Sequence, residues 1–263
     1  MARVFMKGTE AIAEAAVRAG CRFFAGYPIT PQNEIPEYLA RRLPEVGGSF
    51  VQGESEVASI NMVYGAAGTG TRAMTSSSSC GISLMSEGVS FCASARVPIV
   101  YVNVQRGGPG IGTIQPAQQD YTQATKASGN GGFKMLVLSP STLQEAVDMT
   151  WEAFDLADKY SNPVLLLMDG FTGTMMEPVV LPEAKTPEEV AAIRATKTWA
   201  ATGKKGGAQH KVMCGPGLDT RISQEDMNRR DAELYESWKT SEVEYEDYMT
   251  CLLYTSPSPR DRG

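Results

Sequence analysis

The chain has 263 residues, a formal net charge of −6 and 42% hydrophobic residues, which suits a globular protein with room for one large domain or one and a half. The acidic balance and the lack of a basic stripe with interleaved aromatics exclude nucleic acid as a partner. No apolar run approaches the roughly 18 residues of a membrane span, and the N-terminal MARVFMKGTEA lacks the apolar centre of a signal peptide.

Taken in order, Glu10 to Ala19 has the alanine-rich pattern of a helix, with Gly20 as its stop. Cys21 to Gly26 reads as a short strand running into Tyr27-Pro-Ile-Thr-Pro31, a loop fixed by two prolines. A helix is expected from Gln32 to Arg42 despite Pro36, a strand from Ser49 to Gln52, and a helix from Glu56 to Gly68. A strand from Thr71 to Thr75 opens into Ser76-Ser-Ser-Ser-Cys80-Gly81, followed by a helix from Ile82 to Ala95. Val97 to Val104 is an almost unbroken apolar run with β-branched residues, the mark of a buried strand, and it ends in Gln105-Arg106 and the loop Gly107-Gly-Pro-Gly-Ile-Gly112. A strand from Lys134 to Leu138, a helix from Thr142 to Lys159 and a strand from Val164 to Asp169 follow. Thr142 and Glu145 have the spacing of a capping box. About six strand–helix alternations specify an α/β fold, a doubly wound parallel sheet covered on both faces.

After Pro182 the character changes. Pro187 to Ile193 reads as a short helix, Thr198 to Gly217 as a Gly/Lys-rich loop, and Ser223 to Tyr248 as a charged helical connector. Residues 251–263 fit nothing before them and resemble the translation of a sequencing adapter joined to a shortened reading frame, so the natural chain is expected to continue past Thr250 into a further region. Cys21, Cys80, Cys92, Cys214 and Cys251 form no C-x-x-C pair, which excludes a local iron–sulfur or zinc motif and fits reduced thiols in the cytoplasm. His210 is the single histidine, so sites built on imidazole are not expected.

Three strand ends share one pattern: Tyr27 to Thr30, Thr75 to Ser79, and Gln105-Arg106 each place hydroxyls, amides or a guanidinium at a carboxyl edge, where α/β sheets bind ligands. Arg106, beside glycines, suits a carboxylate or phosphate, since its fork meets two oxygens at once; a surface ion pair is the other reading of its position. The glycines match neither G-x-G-x-x-G nor G-x-x-x-x-G-K-[ST]. Glu56 shares a helical stripe with Ile60, Val63 and Ala67 and so points inward, whereas Glu54 does not. An inward carboxylate at a helix start is either a partner of the helix dipole or a working group.

YPITP, GESEVASINMVYGAA, TSSSSCG and VQRGGPGIGTIQPAQQDY, in this order, resemble the α subunit of 2-oxoacid:ferredoxin oxidoreductases, with the nearest likeness to the branched-chain, 2-oxoisovalerate type. The likeness covers roughly Arg3 to Thr250. It implies a pyrimidine-type thiamine diphosphate domain over residues 1–182, a linker and the start of a further region over 183–250, and an artefactual tail over 251–263. By resemblance Glu56 hydrogen-bonds N1′ of the aminopyrimidine, a role supported by Gly65 nine residues later. Ile29, Ser78 and Ser79 line the cofactor, and Thr30 and Arg106 face the substrate, with Arg106 on its carboxylate. Cys80 stands where the family pattern has proline, which puts the local loop shape in question.

The chemistry this implies fits the residues. A carboxyl at N1′ shares a proton with the ring and favours the imino tautomer, whose nitrogen then takes the proton from thiazolium C2. The chain lacks the GDG…N pattern that holds Mg²⁺-diphosphate; Met168-Asp-Gly170 is only a fragment of it. Mg²⁺ and the iron–sulfur clusters are therefore expected on partners only: a β subunit carrying the diphosphate site and an iron–sulfur subunit, with ferredoxin as acceptor and coenzyme A and a 2-oxoacid as substrates. The competing readings are the same reaction on 2-oxoglutarate or pyruvate, a non-catalytic nucleotide- or CoA-binding subunit, and a purely structural subunit.

Overall fold

A computed structural model of the chain describes residues 3–126, 128–130, 133, 135–203 and 213, all within one compact unit, Met1–Gly215. Its centre is a six-stranded sheet of β2 (Phe23–Gly26), β3 (Ser49–Gln52), β4 (Ala73–Ser77), β5 (Val100–Gln105), β6 (Leu136–Leu138) and β7 (Val164–Asp169). The spatial order is β3-β2-β4-β5-β7-β6 and every pairing is parallel. The central strands β4 and β5 are buried along their whole length, as expected of a parallel sheet covered on both faces.

Right-handed crossovers dictate where the helices go. The steps β2 to β3 and β6 to β7 run one way across the sheet, and β3 to β4 and β4 to β5 run the other way. The connecting helices α2 (Glu34–Glu45) and α6 (Leu143–Tyr160) thus fall on one face, and α3 (Glu56–Gly68) and α4 (Cys80–Ser94) on the opposite one. Packing agrees: α1 (Gly8–Arg18) lies against both α2 and α6, while α3 lies against α4. Ile60, Val63 and Ala67 of α3 and Met85, Val89 and Cys92 of α4 enter one apolar cluster with Ile99 and Tyr101 of the β5 region. Because the chain leaves β2 for β3 on one side and runs from β4 to β5 on the other, β2 and β4 flank a switch point, and their carboxyl ends open the crevice in which such folds bind ligands.

Several boundaries differ from the sequence expectations. The strand expected at Thr71–Thr75 lies at Ala73–Ser77, so Ser76 and Ser77 belong to the sheet and the turn begins at Ser78. The second helix begins at Glu34 and runs past Pro44 to Glu45; Pro36 sits in its first turn, where no helical N–H is lost. The strand expected from Lys134 begins at Leu136. β1 (Arg3–Lys7) and β8 (Met176–Val180) form a separate antiparallel pair that the sequence reading did not contain, and α5 (Tyr121–Lys126) and α7 (Gly170–Thr174) are likewise additions. The short helix after Pro182 is α8 (Pro187–Thr196). Residues beyond Pro182 return to the domain: Lys185 N–H donates to the Arg18 carbonyl and Ala201 N–H to that of Gly68. The helix expected at Ser223–Tyr248, the tail at 251–263 and most of the loop at Thr198–Gly217 lie outside the described residues. No described helix is long and apolar enough to cross a membrane.

Candidate active site

The three strand ends singled out in the sequence are neighbours, because β2, β4 and β5 are adjacent in the sheet. The serine run after β4 is the hub. In the five-residue stretch Ser77–Gly81, Glu56 meets the two ends, Ser77 and Gly81, and Arg106 meets Ser79 and Cys80 between them.

Glu56 is the first residue of α3. Ser55 caps this helix, its Oγ accepting from Ala58 N–H at 3.1 Å. The cap fixes the first turn, and the stripe through Ile60 and Val63 turns the Glu56 side chain inward, where it is 5% exposed; Glu54 is exposed. Among the described residues the Glu56 carboxyl receives one long hydrogen bond, from Ser77 Oγ at 3.5 Å, and pairs with no cation. A buried carboxylate so sparsely served is costly for stability alone and suits a group that awaits a partner. Gly81, in the first turn of α4, closes the wall beside it. The expected Gly65 lies on the outer side of α3, with nothing within 4 Å of where its Cβ would be.

Arg106 follows β5 and is 7% exposed. Its Nη1 donates to the Thr30 carbonyl at 3.0 Å, and its Nη2 to the Ile111 carbonyl at 2.6 Å and to Cys80 Sγ at 3.1 Å. Nε is buried without a partner, and no described carboxylate pairs with the guanidinium. The surface-ion-pair reading of this arginine is thereby removed. It is also less open than its glycine neighbours suggest, because the loop folds back over it. Thr113 N–H donates to the Gly107 carbonyl at 2.7 Å, and Gly112, at φ +65°, packs so tightly on Gly107 that a Cβ would stand 1.7 Å from that carbonyl oxygen. Ile111 rides on this turn with its side chain 79% exposed while its carbonyl reaches the guanidinium.

Thr30 is half-buried and brings its carbonyl to Arg106, while its hydroxyl accepts weakly from Asn33 Nδ2 at 3.5 Å. Ile29 is half-buried in the same loop. Gln32, which the sequence did not single out, ties this loop to the next strand: its Nε2 donates to the Tyr27 carbonyl at 3.1 Å and its Oε1 accepts from Ser76 Oγ at 2.5 Å. Ser78 is fully buried and its hydroxyl has no partner. Cys80 is half-buried at the first position of α4, its thiol on Arg106.

Asn103 and Asp120 were also missed, and Gln105 was read only as an amide at the strand end. Asn103 and Gln105 lie two apart on β5, hence on one face, and both are buried. Polar residues at that spacing inside an apolar run were the available signal. Asn103 Oδ1 accepts from Ser79 N–H at 2.9 Å, and its Nδ2 donates to Asp120 Oδ2 at 2.8 Å; Gln105 Oε1 accepts from Asp120 N–H at 3.2 Å. No described group of His, Cys, Asp and Glu is arranged to hold a metal ion.

The parallel α/β sheet brings an inward carboxylate and a carboxylate-free buried arginine to its carboxyl edge, where folds of this class bind ligands. The family model for pyruvate flavodoxin/ferredoxin oxidoreductase, thiamine diphosphate-binding, matches residues 14–247, and the chain belongs to that family. It is 46% identical over 249 residues to the ketoisovalerate oxidoreductase subunit VorB of Methanothermobacter thermautotrophicus, an alignment covering 95% of this chain and 69% of the relative. It is 44% identical to the 2-oxoglutarate synthase subunit KorA of Methanocaldococcus jannaschii over 70% of this chain and 52% of that one. The solved 2-oxoglutarate:ferredoxin oxidoreductase from Magnetococcus marinus, with 2-oxoglutarate, coenzyme A and succinyl-CoA bound, superposes with a TM-score of 0.75 at 28% identity, over 91% of this chain and 45% of that one. The buried groups fit the family's cofactor: an unpaired carboxyl suits a ring nitrogen that shares a proton, and Ser78 Oγ is a polar atom left for a ligand.

Proposed function

We propose that the chain is the α subunit of a thiamine diphosphate-dependent 2-oxoacid:ferredoxin oxidoreductase that converts 2-oxoisovalerate and coenzyme A to the acyl-CoA, CO₂ and reduced ferredoxin. The observation that carries the reading is the hub Ser77–Gly81, which touches both a buried carboxyl without a cation and a buried guanidinium without a carboxylate. The branched-chain substrate rests on the 46% identity to the ketoisovalerate subunit.

Bound thiamine diphosphate would supply an acidic thiazolium C2–H and an electron sink for decarboxylation. Glu56 holds the proton shared with N1′, while Ile29, Ser78 and Ser79 line the ring. Arg106 binds the substrate carboxylate through its fork and Thr30 orients the oxo group beside it. Nε is the guanidinium nitrogen without a partner and is left to meet a carboxylate oxygen. Burial of the crevice keeps water from both charged groups, which strengthens their action on the bound molecules.

The diphosphate with Mg²⁺ is assigned to a β subunit and the iron–sulfur clusters to a further subunit, with ferredoxin as acceptor. We place the complex in the cytoplasm, in keeping with the free thiols of Cys21, Cys80 and Cys92.

The test is co-expression of a full-length version with its neighbouring open reading frames, then viologen reduction on a panel of 2-oxoacids with coenzyme A. The highest kcat/KM is expected for 2-oxoisovalerate. Preference for 2-oxoglutarate or pyruvate reassigns the substrate, and activity of the purified chain by itself overturns the shared site.

A further inference from the structure

Ser79 is out of keeping with its place in the chain. It occupies the N-cap of α4, where a serine hydroxyl ordinarily accepts a helical N–H, yet it makes no such bond. Its backbone stands at φ +27° and ψ −83°, a region a non-glycine residue enters only when its surroundings hold it there. The forgone cap and the strained backbone both need compensation, and the compensation converges on one carboxylate.

Asp120 Oδ2 accepts from Ser79 Oγ at 2.6 Å and from Asn103 Nδ2 at 2.8 Å. Asn103, so oriented, turns its Oδ1 to Ser79 N–H. Ser79 Oγ lies 2.6 Å from Asp120 Oδ2 and 3.0 Å from the Arg106 carbonyl; its one proton goes to the nearer, charged acceptor, and the oxygen accepts from Arg106 N–H at 3.0 Å. One carboxylate therefore fixes the Ser79 amide, the Ser79 hydroxyl and, through that hydroxyl, the backbone of Arg106. The next residue, Cys80, meets the Arg106 guanidinium. Charge-assisted bonds of this kind are the strong members of a network, and two of them meet on a single oxygen.

We propose that Asp120 is a positioning residue for the 2-oxoacid carboxylate, acting through Ser79 to hold Arg106 in register; this rests on the substrate role given to Arg106 above. The effect is local. β4 is laddered to β5 up to the rung Ser77–Asn103, so releasing Asp120 acts on residues 78–80 and leaves Ser77, the donor to Glu56, in place. The deficit should therefore appear in oxoacid binding and spare the step served by Glu56.

The experiment uses the assembled complex with Asp120→Ala, Asp120→Asn and, as a control on the parent reading, Glu56→Gln. Asp120→Ala is expected to raise the KM for 2-oxoisovalerate by about 10-fold or more, with kcat within about 2-fold. Asp120→Asn, whose amide oxygen can still accept from both donors without the charge, should recover most of that loss. A purely structural role would lower assembly and kcat and leave KM alone. An unchanged KM in Asp120→Ala, with Glu56→Gln inactive, overturns this proposal and leaves the parent reading standing. Full activity of Glu56→Gln overturns the parent reading and this one with it. If Asp120→Ala does not assemble, Asp120→Asn decides: a KM raised about 2-fold or more supports the proposal, and an unchanged KM overturns it.

Discussion

Gly81 faces Glu56 so closely that a Cβ at residue 81 would stand 2.5 Å from Glu56 Oε1 and 2.0 Å from Ser77 Oγ. The glycine is required by space here. It lies on the α4 wall that confines the carboxyl, while the stripe of α3 supplies its direction. Both clashing atoms belong to side chains, so the chain can fold around an added methyl, but only by turning the carboxyl away from its place.

Gly81→Ala is therefore expected to assemble, with unfolding free energy lowered by about 1–3 kcal/mol, the usual cost of overpacking. Activity should fall on the order of 10²-fold, since small displacements of a reacting group cost that much. Denaturant titration and steady-state rates on the same preparation check both; wild-type activity at Gly81→Ala would mean that the Glu56 carboxyl is not held where this wall puts it.

Glu56→Gln should lose on the order of 10²-fold or more in kcat, the scale of acid–base contributions, because an amide cannot share the proton. Removing a buried charge with no cation partner should leave stability equal or higher. Glu54→Gln, on the exposed side, should be near wild type. Reversal of the two rankings in a viologen assay sinks the assignment of the inward face.

How much of this was legible beforehand follows the range of each interaction. Glu56 could be read because helical periodicity is local and Ile60, Val63 and Ala67 fix the face. Thr142 and Glu145 could be read because a capping box is four residues long. The three strand ends could be singled out because each pattern is local, but their adjacency could not, since strand order is set by long-range pairing. The Asp120 network could not be read, since it joins residues 17 and 41 positions apart through a serine in an uncommon backbone state, and nothing in a serine-rich string marks which one is strained. The closing of the glycine loop over Arg106 escaped for a related reason. Glycines signal freedom, and the sequence alone does not say that this freedom is used to bring Ile111 back onto the arginine. The β1–β8 pair was missed because its partners stand 169 to 177 residues apart in sequence.

A control on stability lies far from the crevice. Thr142 Oγ1 accepts from Glu145 N–H at 3.2 Å, and Glu145 Oε2 accepts from Ser141 and Thr142 N–H and from Ser141 Oγ. Burial acts to raise the Glu145 pKa, but these hydrogen bonds outweigh it and hold the carboxyl below its ordinary value. A depressed carboxylate stabilises the fold above its unfolded pKa, and that contribution is lost as pH falls through the folded value. Thr142→Ala should cost about 1 kcal/mol with no change in kcat, and Ser141→Ala, which removes a hydroxyl donor to the Glu145 carboxylate, should cost stability at neutral pH and less in acid. Thermal melts at two pH values check this; an equal or larger Ser141→Ala deficit in acid contradicts the Glu145 carboxylate as the source.

Arg106→Lys tests the substrate end of the site. Every 2-oxoacid carries a carboxylate beside the reacting carbonyl, so its recognition should not depend on the side chain that distinguishes one oxoacid from another. The guanidinium is held by the Thr30 and Ile111 carbonyls and by Cys80 Sγ, and its Nε is the one buried donor left over. A lysine keeps the charge, yet a single ammonium cannot serve those acceptors and also meet two carboxylate oxygens in one plane. Loss of the fork should cost about 1.5–3 kcal/mol in kcat/KM, the range for a hydrogen bond to a charged group. The loss should be similar for every accepted oxoacid, with thiamine diphosphate affinity little changed. The measurement is oxoacid saturation and cofactor titration on the same reconstituted complex. Normal oxoacid saturation together with a large drop in cofactor affinity would move Arg106 from the substrate to the cofactor.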